Sequence, residues 1–473
     1  MFDIGTGNSR VSLVDSNGNI LGLRTFLNTY YRDDLYEDAQ YFYPDEWAEK
    51  LIGGCAELCA EHPDIKVDGI SSAAARQTFI LIDASGKCFY ALPNIDNRGR
   101  EFVGAVPNKE MIYKISGKWV TEDFGAAKLL GFKKKRFDQY SKIHKITSLS
   151  EWIGYILTGR VCMEYSQACE SQLYDLQKKR WSSRLCEWYG VDSDILPELY
   201  KSGERLGHIK DEYKEMFNLN EGAMFIVGGA DTQIAIKQTD IGEGDIAIVS
   251  GTTSPVVTLK KDFFYDKQER VWTDANLCGE NYQIEMNPGV TGLNYQKMKN
   301  NFCPDISYGD LEEYYENLRE VRCTASFSSL LFYKKTSLRK GGFFMRSPLQ
   351  DNLTRFDLMY AVVADIACAT YEQLRRLIDI SGNDPDHIIA CGGGFQSMAL
   401  CKMIASLTGK PIVLKKGFDQ ATIQGLVHIC NKTLEVAADH EDEYIRIEPE
   451  EDNLVFSYYP AWSENRNRAN DCH

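Results

Sequence analysis

The same short device occurs twice in this chain, and it constrains the fold more than any other feature. Near the start, Phe2-Asp3-Ile4-Gly5-Thr6-Gly7-Asn8-Ser9-Arg10-Val11-Ser12-Leu13-Val14 reads as strand, tight Gly/Thr turn, strand. Near the middle, Ile246-Ala247-Ile248-Val249-Ser250-Gly251-Thr252-Thr253-Ser254-Pro255-Val256-Val257 reads the same way. Such a turn gathers backbone N–H groups and hydroxyls into one concavity that suits phosphate oxygens. Glycine lets the backbone approach closely or take positive φ. One turn per half implies phosphates gripped from both sides of a central cleft.

Bulk composition narrows the partners. The 473 residues exceed one core and fit two domains. With 44% hydrophobic and 26% charged residues the chain reads as globular rather than disordered. A net charge of −15 argues against nucleic acid or an anionic membrane as partner. No apolar run approaches the roughly 18 residues of a spanning helix, and no basic-then-apolar leader opens the chain, so a cytoplasmic protein is expected. Fourteen scattered cysteines without a CxxC pair read as reduced thiols acting as small hydrophobes.

Asp15-Ser16-Asn17-Gly18-Asn19 signals a hairpin, and Pro44 to His62 has helical spacing with Pro44 in the first turn. Val67 to Ala73 reads as a strand, as do Phe79–Ile82 and Cys88–Tyr90 around a turn; 109–206 is mainly helical in pattern. Ala223 to Gly229 returns to strand. In the second half a long helix is expected from Arg355 to Ile380. A βαβ unit follows: His387–Ala390 as strand, Cys391-Gly392-Gly393-Gly394 as turn, Phe395–Thr408 as helix, Gly409 as its C-cap, then Ile412–Leu414. The cut between units falls at Lys237–Gly244, giving domains 1–238 and 239–473.

Three places carry chemistry. Asp3 sits at a strand end beside the first turn, where one carboxylate can hold Mg²⁺ through water; Thr6 and Gly7 face phosphate and Arg10 neutralises charge. Gly228-Gly229-Ala230-Asp231-Thr232-Gln233 puts a carboxylate where a strand becomes a helix. Asp231 there is either a proton acceptor for phosphoryl transfer to a hydroxyl or a helix N-cap. Gly392-Gly393-Gly394 leaves bare backbone for a flat ring or is a plain βα turn. There is no GxxxxGK[ST] and no GxGxxG after a strand, so neither a P-loop nor a dinucleotide fold is indicated.

In order and spacing, DIGTGNSR, GGADTQ, SGTT and the late glycine turn together resemble the FGGY carbohydrate kinases, a branch of the actin-like ATPase fold. The likeness runs over essentially the whole chain, with autoinducer-2 kinases and then xylulokinases the nearest members. It extends to Ser71–Gln77, Asn94–Arg98 and Trp181. It implies two actin-like (ribonuclease H-like) α/β domains around a nucleotide and sugar cleft. The expected activity is an ATP- and Mg²⁺-dependent kinase acting on a hydroxyl of a small sugar, polyol or autoinducer-2-like molecule. A non-catalytic sugar or nucleotide sensor is the alternative, and a homodimer is a family-level expectation. Asp231 would be the base; Asp3 would serve the metal; Thr6, Gly7, Arg10, Gly251, Thr252 and Thr253 the phosphates. Gly393, Gly394 and Ser397 would line the adenosine site, and Arg76, Gln77, Asn94, Asp96, Arg98 and Thr232 the sugar. The chain departs from the pattern at Gln77, where such kinases often have an acid, at Lys402 and Ser406, and in the bulkier run Gln420–Gly425. Only two residues precede Asp3, where the family has a full first strand, so the start reads as a truncation or a miscalled initiator.

Overall fold

In the computed structural model the residues described are 1–328, 331–332, 335–336, 340–438 and 442–471. The first large sheet contains β1 (Phe2–Ile4), β2 (Asn8–Val14), β3 (Ile20–Leu27), β4 (Val67–Ala74), β5 (Arg205–His208) and β6 (Leu219–Ala230), in the order β5-β6-β4-β1-β2-β3. The second contains β7 (Ile246–Val249), β8 (Val256–Lys260), β9 (Trp272–Ala275), β10 (Tyr282–Met286), β11 (Ile388–Cys391), β12 (Ile412–Lys415) and β13 (Tyr444–Ile447), in the order β9-β10-β8-β7-β11-β12-β13.

The duplication read from the two turns extends to the wiring of the sheets. In the first, β1, β2 and β3 form an antiparallel meander, while β4 runs parallel to β1 and to β6. In the second, β7, β8 and β10 form the meander, while β11 runs parallel to β7 and to β12. β1 is three residues long yet lies between two partners, and its buried Phe2 and Ile4, two positions apart, pack on one face of the sheet in a shared core. Parallel strands present their C-terminal ends at one edge, where α/β proteins place ligands.

Six helices position that edge: α1 (Pro44–Glu61), α2 (Gly125–Lys135), α3 (Asp231–Thr239), α4 (Arg355–Ser381), α5 (Met398–Thr408) and α6 (Ala421–Leu434). α1 begins on Pro44 with Asp45 and Glu46 in its first turn, as the dipole favours. α4 starts at a capping box of Thr354 and Asp357 and runs through the core of the second half. The stretch 109–206 mixes helices with short strands such as Lys145–Ser148 and Cys162–Glu164. The helix after the glycine turn starts three residues later than expected. Gly393–Gln396 form a 3₁₀ turn, and Ser397 caps α5 by accepting from the Leu400 N–H.

The halves meet where α3 crosses α6. A Cβ on Gly425 would run into the backbone carbonyl of Ile234, so only glycine allows this approach. Twelve cysteines among the described residues are free thiols, ten of them buried. No helix among the described residues is long and apolar enough to cross a membrane.

Candidate active site

Three neighbouring strand ends of the first sheet converge. β4 lies between β1 and β6, with Asp3 and Gly229 both opposite Ala73. The chain leaving β4 therefore reaches Arg76 between Asp3 and Asp231. Asp231 is the first residue of α3; the N-cap is Ala230 and no side chain caps this end. Its carboxylate accepts from the Thr232 N–H at 2.7 Å and from the Thr232 hydroxyl at 3.3 Å. Burial pushes Asp231 up to about 6; Arg76 opposes that and Asp3 adds to it. A carboxylate so placed is ionised at neutral pH yet basic enough to take a proton. Asp3 is ion-paired with Arg10, its cross-strand partner, and Arg10 also donates to the Gln420 side chain of the second half at 2.7 Å.

The first turn is tied down on several sides. Asn28 donates to the Gly5 carbonyl at 2.8 Å and Tyr30 to the Thr6 carbonyl at 2.6 Å. The Asn94 amide donates to the Thr6 hydroxyl at 2.7 Å. Gly7 stays exposed with open space at its Cα. In the second turn the Gly251 N–H donates to the Thr253 carbonyl at 2.9 Å, and Gly251 and Thr252 are exposed. The glycine turn presses directly on it. Gly392 has φ +97°, a Cβ there would strike the Ser250 carbonyl, and the Gly394 N–H donates to that carbonyl at 3.2 Å. The sequence-predicted phosphate and adenosine glycines are thus neighbours. Ser397 differs: its hydroxyl caps α5 and donates to Glu312.

The residues expected from sequence to face the sugar separate into two groups. Arg76 forks onto both Glu285 carboxylate oxygens, at 2.7 and 2.9 Å, with Glu170 at 3.5 Å. Gln77, at φ +66°, donates to Glu170 at 2.8 Å. Glu170 thereby supplies, from 93 residues away, the carboxylate beside the arginine that position 77 lacks. Burial alone would raise Glu170, but Lys118 and Arg76 hold it below its ordinary value. Lys118 is ion-paired with Asp274 of β9 and lies 3.6 Å from Glu170. Asp96 and Arg98, by contrast, are enclosed in the wall behind Asn94, paired with each other at 2.5 Å and with Asp33 nearby. Glu170, Glu285, Lys118 and Asp274 carried no motif by which sequence could find them.

Comparison with known proteins follows the same outline. The model of the N-terminal domain of the FGGY family of carbohydrate kinases matches residues 1–236, and that of the C-terminal domain matches 311–434. YoaC of Bacillus subtilis (strain 168), named as a sugar kinase, is 36% identical over 466 residues, spanning 98% of this chain and 96% of that protein. An autoinducer-2 kinase of Yersinia enterocolitica is 24% identical over 443 residues, covering 87% of this chain and 82% of its own length. Ligand-bound xylulose kinase from Lactobacillus acidophilus superposes with a TM-score of 0.82 at 18% identity, over 99% of this chain and 97% of that one. Plasmodium falciparum glycerol kinase with ADP gives 0.80 at 18%, over 99% and 97%. At these identities the structural likeness establishes the two-domain actin-like fold.

Proposed function

The chain belongs to the FGGY family of carbohydrate kinases, and from that premise we propose that it transfers the γ-phosphoryl group of ATP to a hydroxyl of a small neutral sugar, polyol or autoinducer-2-like molecule, with Asp231 taking the hydroxyl proton. The observation that carries this reading is the convergence of Asp3, Arg76 and Asp231 at three adjacent strand ends. A hydroxyl oxygen loses its proton to Asp231 as its bond to phosphorus forms and the bond from phosphorus to ADP breaks. Thr6, Gly7 and Arg10 would meet the phosphates from one side and Gly251, Thr252 and Thr253 from the other. Gly393 and Gly394 would leave room for adenosine. Arg76, Gln77, Asn94 and Thr232 would hold the acceptor, with Asp96 and Arg98 bracing Asn94 from behind. We take the two units as 1–238 and 239–473.

Magnesium fits the donor set. It needs one or two carboxylates completed by water and phosphate, and Asp3 and Asp231 lie close enough for one to raise the other. When bound it would offset phosphate charge; Asp3 is the residue that would hold it, leaving Asp231 free to take the proton.

Because Arg76 is already neutralised by Glu170 and Glu285, a neutral ketose or polyol is favoured over a sugar acid. The test is ADP release from ATP and Mg²⁺ with D-xylulose, D-ribulose, glycerol, gluconate and autoinducer-2 as acceptors. Acceptor-dependent release with the neutral compounds supports the kinase. Binding of nucleotide and sugar without release would make the chain a sensor instead.

A further inference from the structure

Lys128 is a buried cation that the phosphoryl-transfer reading leaves unused. It lies on α2, fully enclosed. Its ammonium donates to three carbonyl oxygens: Gln77 at 2.8 Å, Pro93 at 2.8 Å and Asn94 at 3.1 Å. A lysine ammonium has three donors, and a buried one is tolerated only when they are satisfied. All three are spent at the open end of one hairpin, where Phe79 pairs with Leu92 and the Asn94 N–H donates to the Thr78 hydroxyl at 3.0 Å. One side of it follows Arg76; the other presents Asn94, whose amide holds the Thr6 hydroxyl of the first turn.

The helix carrying Lys128 has no slack against the chain that follows Asn94. A Cβ on Gly99 would strike the Ala127 carbonyl, and one on Gly131 would strike the Arg98 carbonyl. Gln77 keeps a left-handed backbone at φ +66°, a conformation that is strained for a non-glycine residue and needs outside support. Its carbonyl is one of the three that Lys128 grips.

We infer that Lys128 is the positioning residue that fixes this hairpin end to α2, so that Gln77 and, through Asn94, the first phosphate turn are held in place. This rests on the kinase reading for its functional meaning and on the three hydrogen bonds for its geometry. Lys128 orients the acceptor pocket without touching the acceptor. The charged groups facing it are Asp96 and Arg98 on the 93–98 segment, Asp123 just before α2, and Glu170 beyond Gln77. Asp96 and Arg98 neutralise one another, and Glu170 is answered by Arg76 and Lys118. Burial brings the Lys128 ammonium down to about 8, against the pull of Asp96 and Asp123. Above that pH the grip loses one donor and its charge.

The test is K128M, assayed with whichever neutral acceptor of the panel gives the fastest ADP release in the native enzyme, together with amide hydrogen exchange. The acceptor KM should rise by about tenfold, while the ATP KM stays within about twofold. Exchange should accelerate over 76–78 and 93–96 and stay unchanged over β11. In the native enzyme the acceptor KM should climb above about pH 8, a climb that K128M lacks. Unchanged acceptor KM and unchanged exchange in K128M overturn the inference, as does an equal rise in both KM values. If K128M does not fold, the native pH profile decides, and an acceptor KM flat through pH 9 overturns it. If no acceptor supports ADP release in the native enzyme, the kinase reading fails; the exchange arm still decides whether Lys128 holds the hairpin end.

Discussion

The two Gly/Thr turns look alike as sequence and occupy equivalent places in two similarly wired sheets, yet they are anchored differently. The first is held by Asn28, Tyr30 and Asn94 of its own half, and Arg10 on the strand leaving it reaches Gln420 of the other half. The second is wired within its own half: Thr252 accepts from the Thr291 N–H at 3.1 Å, Ser254 bonds Thr291, and Gly394 bonds Ser250. Duplicating a strand–turn–strand unit therefore duplicates the cradle but not its connections. On the proposed assignment the first turn would report on the acceptor and the second on the nucleotide.

The largest effect should come from Asp231→Asn. If proton transfer belongs to the first half, acceptor-dependent ADP release should fall by about 10²–10⁴ while nucleotide affinity by calorimetry holds. Near-native turnover would reduce Asp231 to a helix-start residue and erase the division of labour. In the native enzyme turnover should likewise decline as pH drops through about 6, where Asp231 gains its proton.

Glycine substitutions sharpen the contrast between the helix crossing and the nucleotide side. Gly425→Ala forces α6 away from the Ile234 carbonyl, and the melting temperature should drop in line with about 1–3 kcal/mol. Gly393 is exposed with open space around it, so Gly393→Ala should leave stability within about 0.5 kcal/mol while weakening nucleotide binding. Equal destabilisation by both would show that the crossing has room to give.

A smaller effect separates the turns themselves. Asn94→Leu removes the donor to Thr6 and should raise the acceptor KM, at a cost of about 1 kcal/mol; Thr252→Val should raise the ATP KM instead. Steady-state kinetics in which each variant harms both substrates alike would break the comparison.

The smallest is a pH slope. Glu164, buried under Gly229, accepts from the Ser166 N–H at 2.7 Å, and its other oxygen has no partner among the described residues. Burial, then Glu151, pushes it up to about 8 from 4.5. Between those values the native state binds the extra proton, so stability declines as pH rises through that window. Glu164→Gln should flatten the difference between urea midpoints at pH 5 and pH 8; an unchanged difference would assign the slope to other groups.

What was legible in the sequence was local. Two Gly/Thr turns, the capped α4 and the strand before Asp231 rest on patterns a few residues long, and they stand where expected, α4 ending at Ser381 instead of Ile380. The start of α5 was missed by three residues because Ser397 is a stronger N-cap than Phe395 is a helix opener. The charged wall was illegible. Arg76 finds Glu285 across 209 positions and Lys118 finds Asp274 across 156, and no spacing rule links such pairs. Asp96 and Arg98 look like ligand contacts on paper; Tyr90 and Asp33 enclose them.

The scattered thiols give each half a chemical clock. Cys59, Cys162, Cys169 and Cys186 are buried in the first half, and Cys303, Cys323, Cys368, Cys391, Cys401 and Cys430 in the second. A thiol sealed in a core meets an alkylating reagent only when its surroundings open. Timed alkylation, read peptide by peptide, would thus record which half unfastens first and how much slower it does so with nucleotide bound, with no label added and no residue changed.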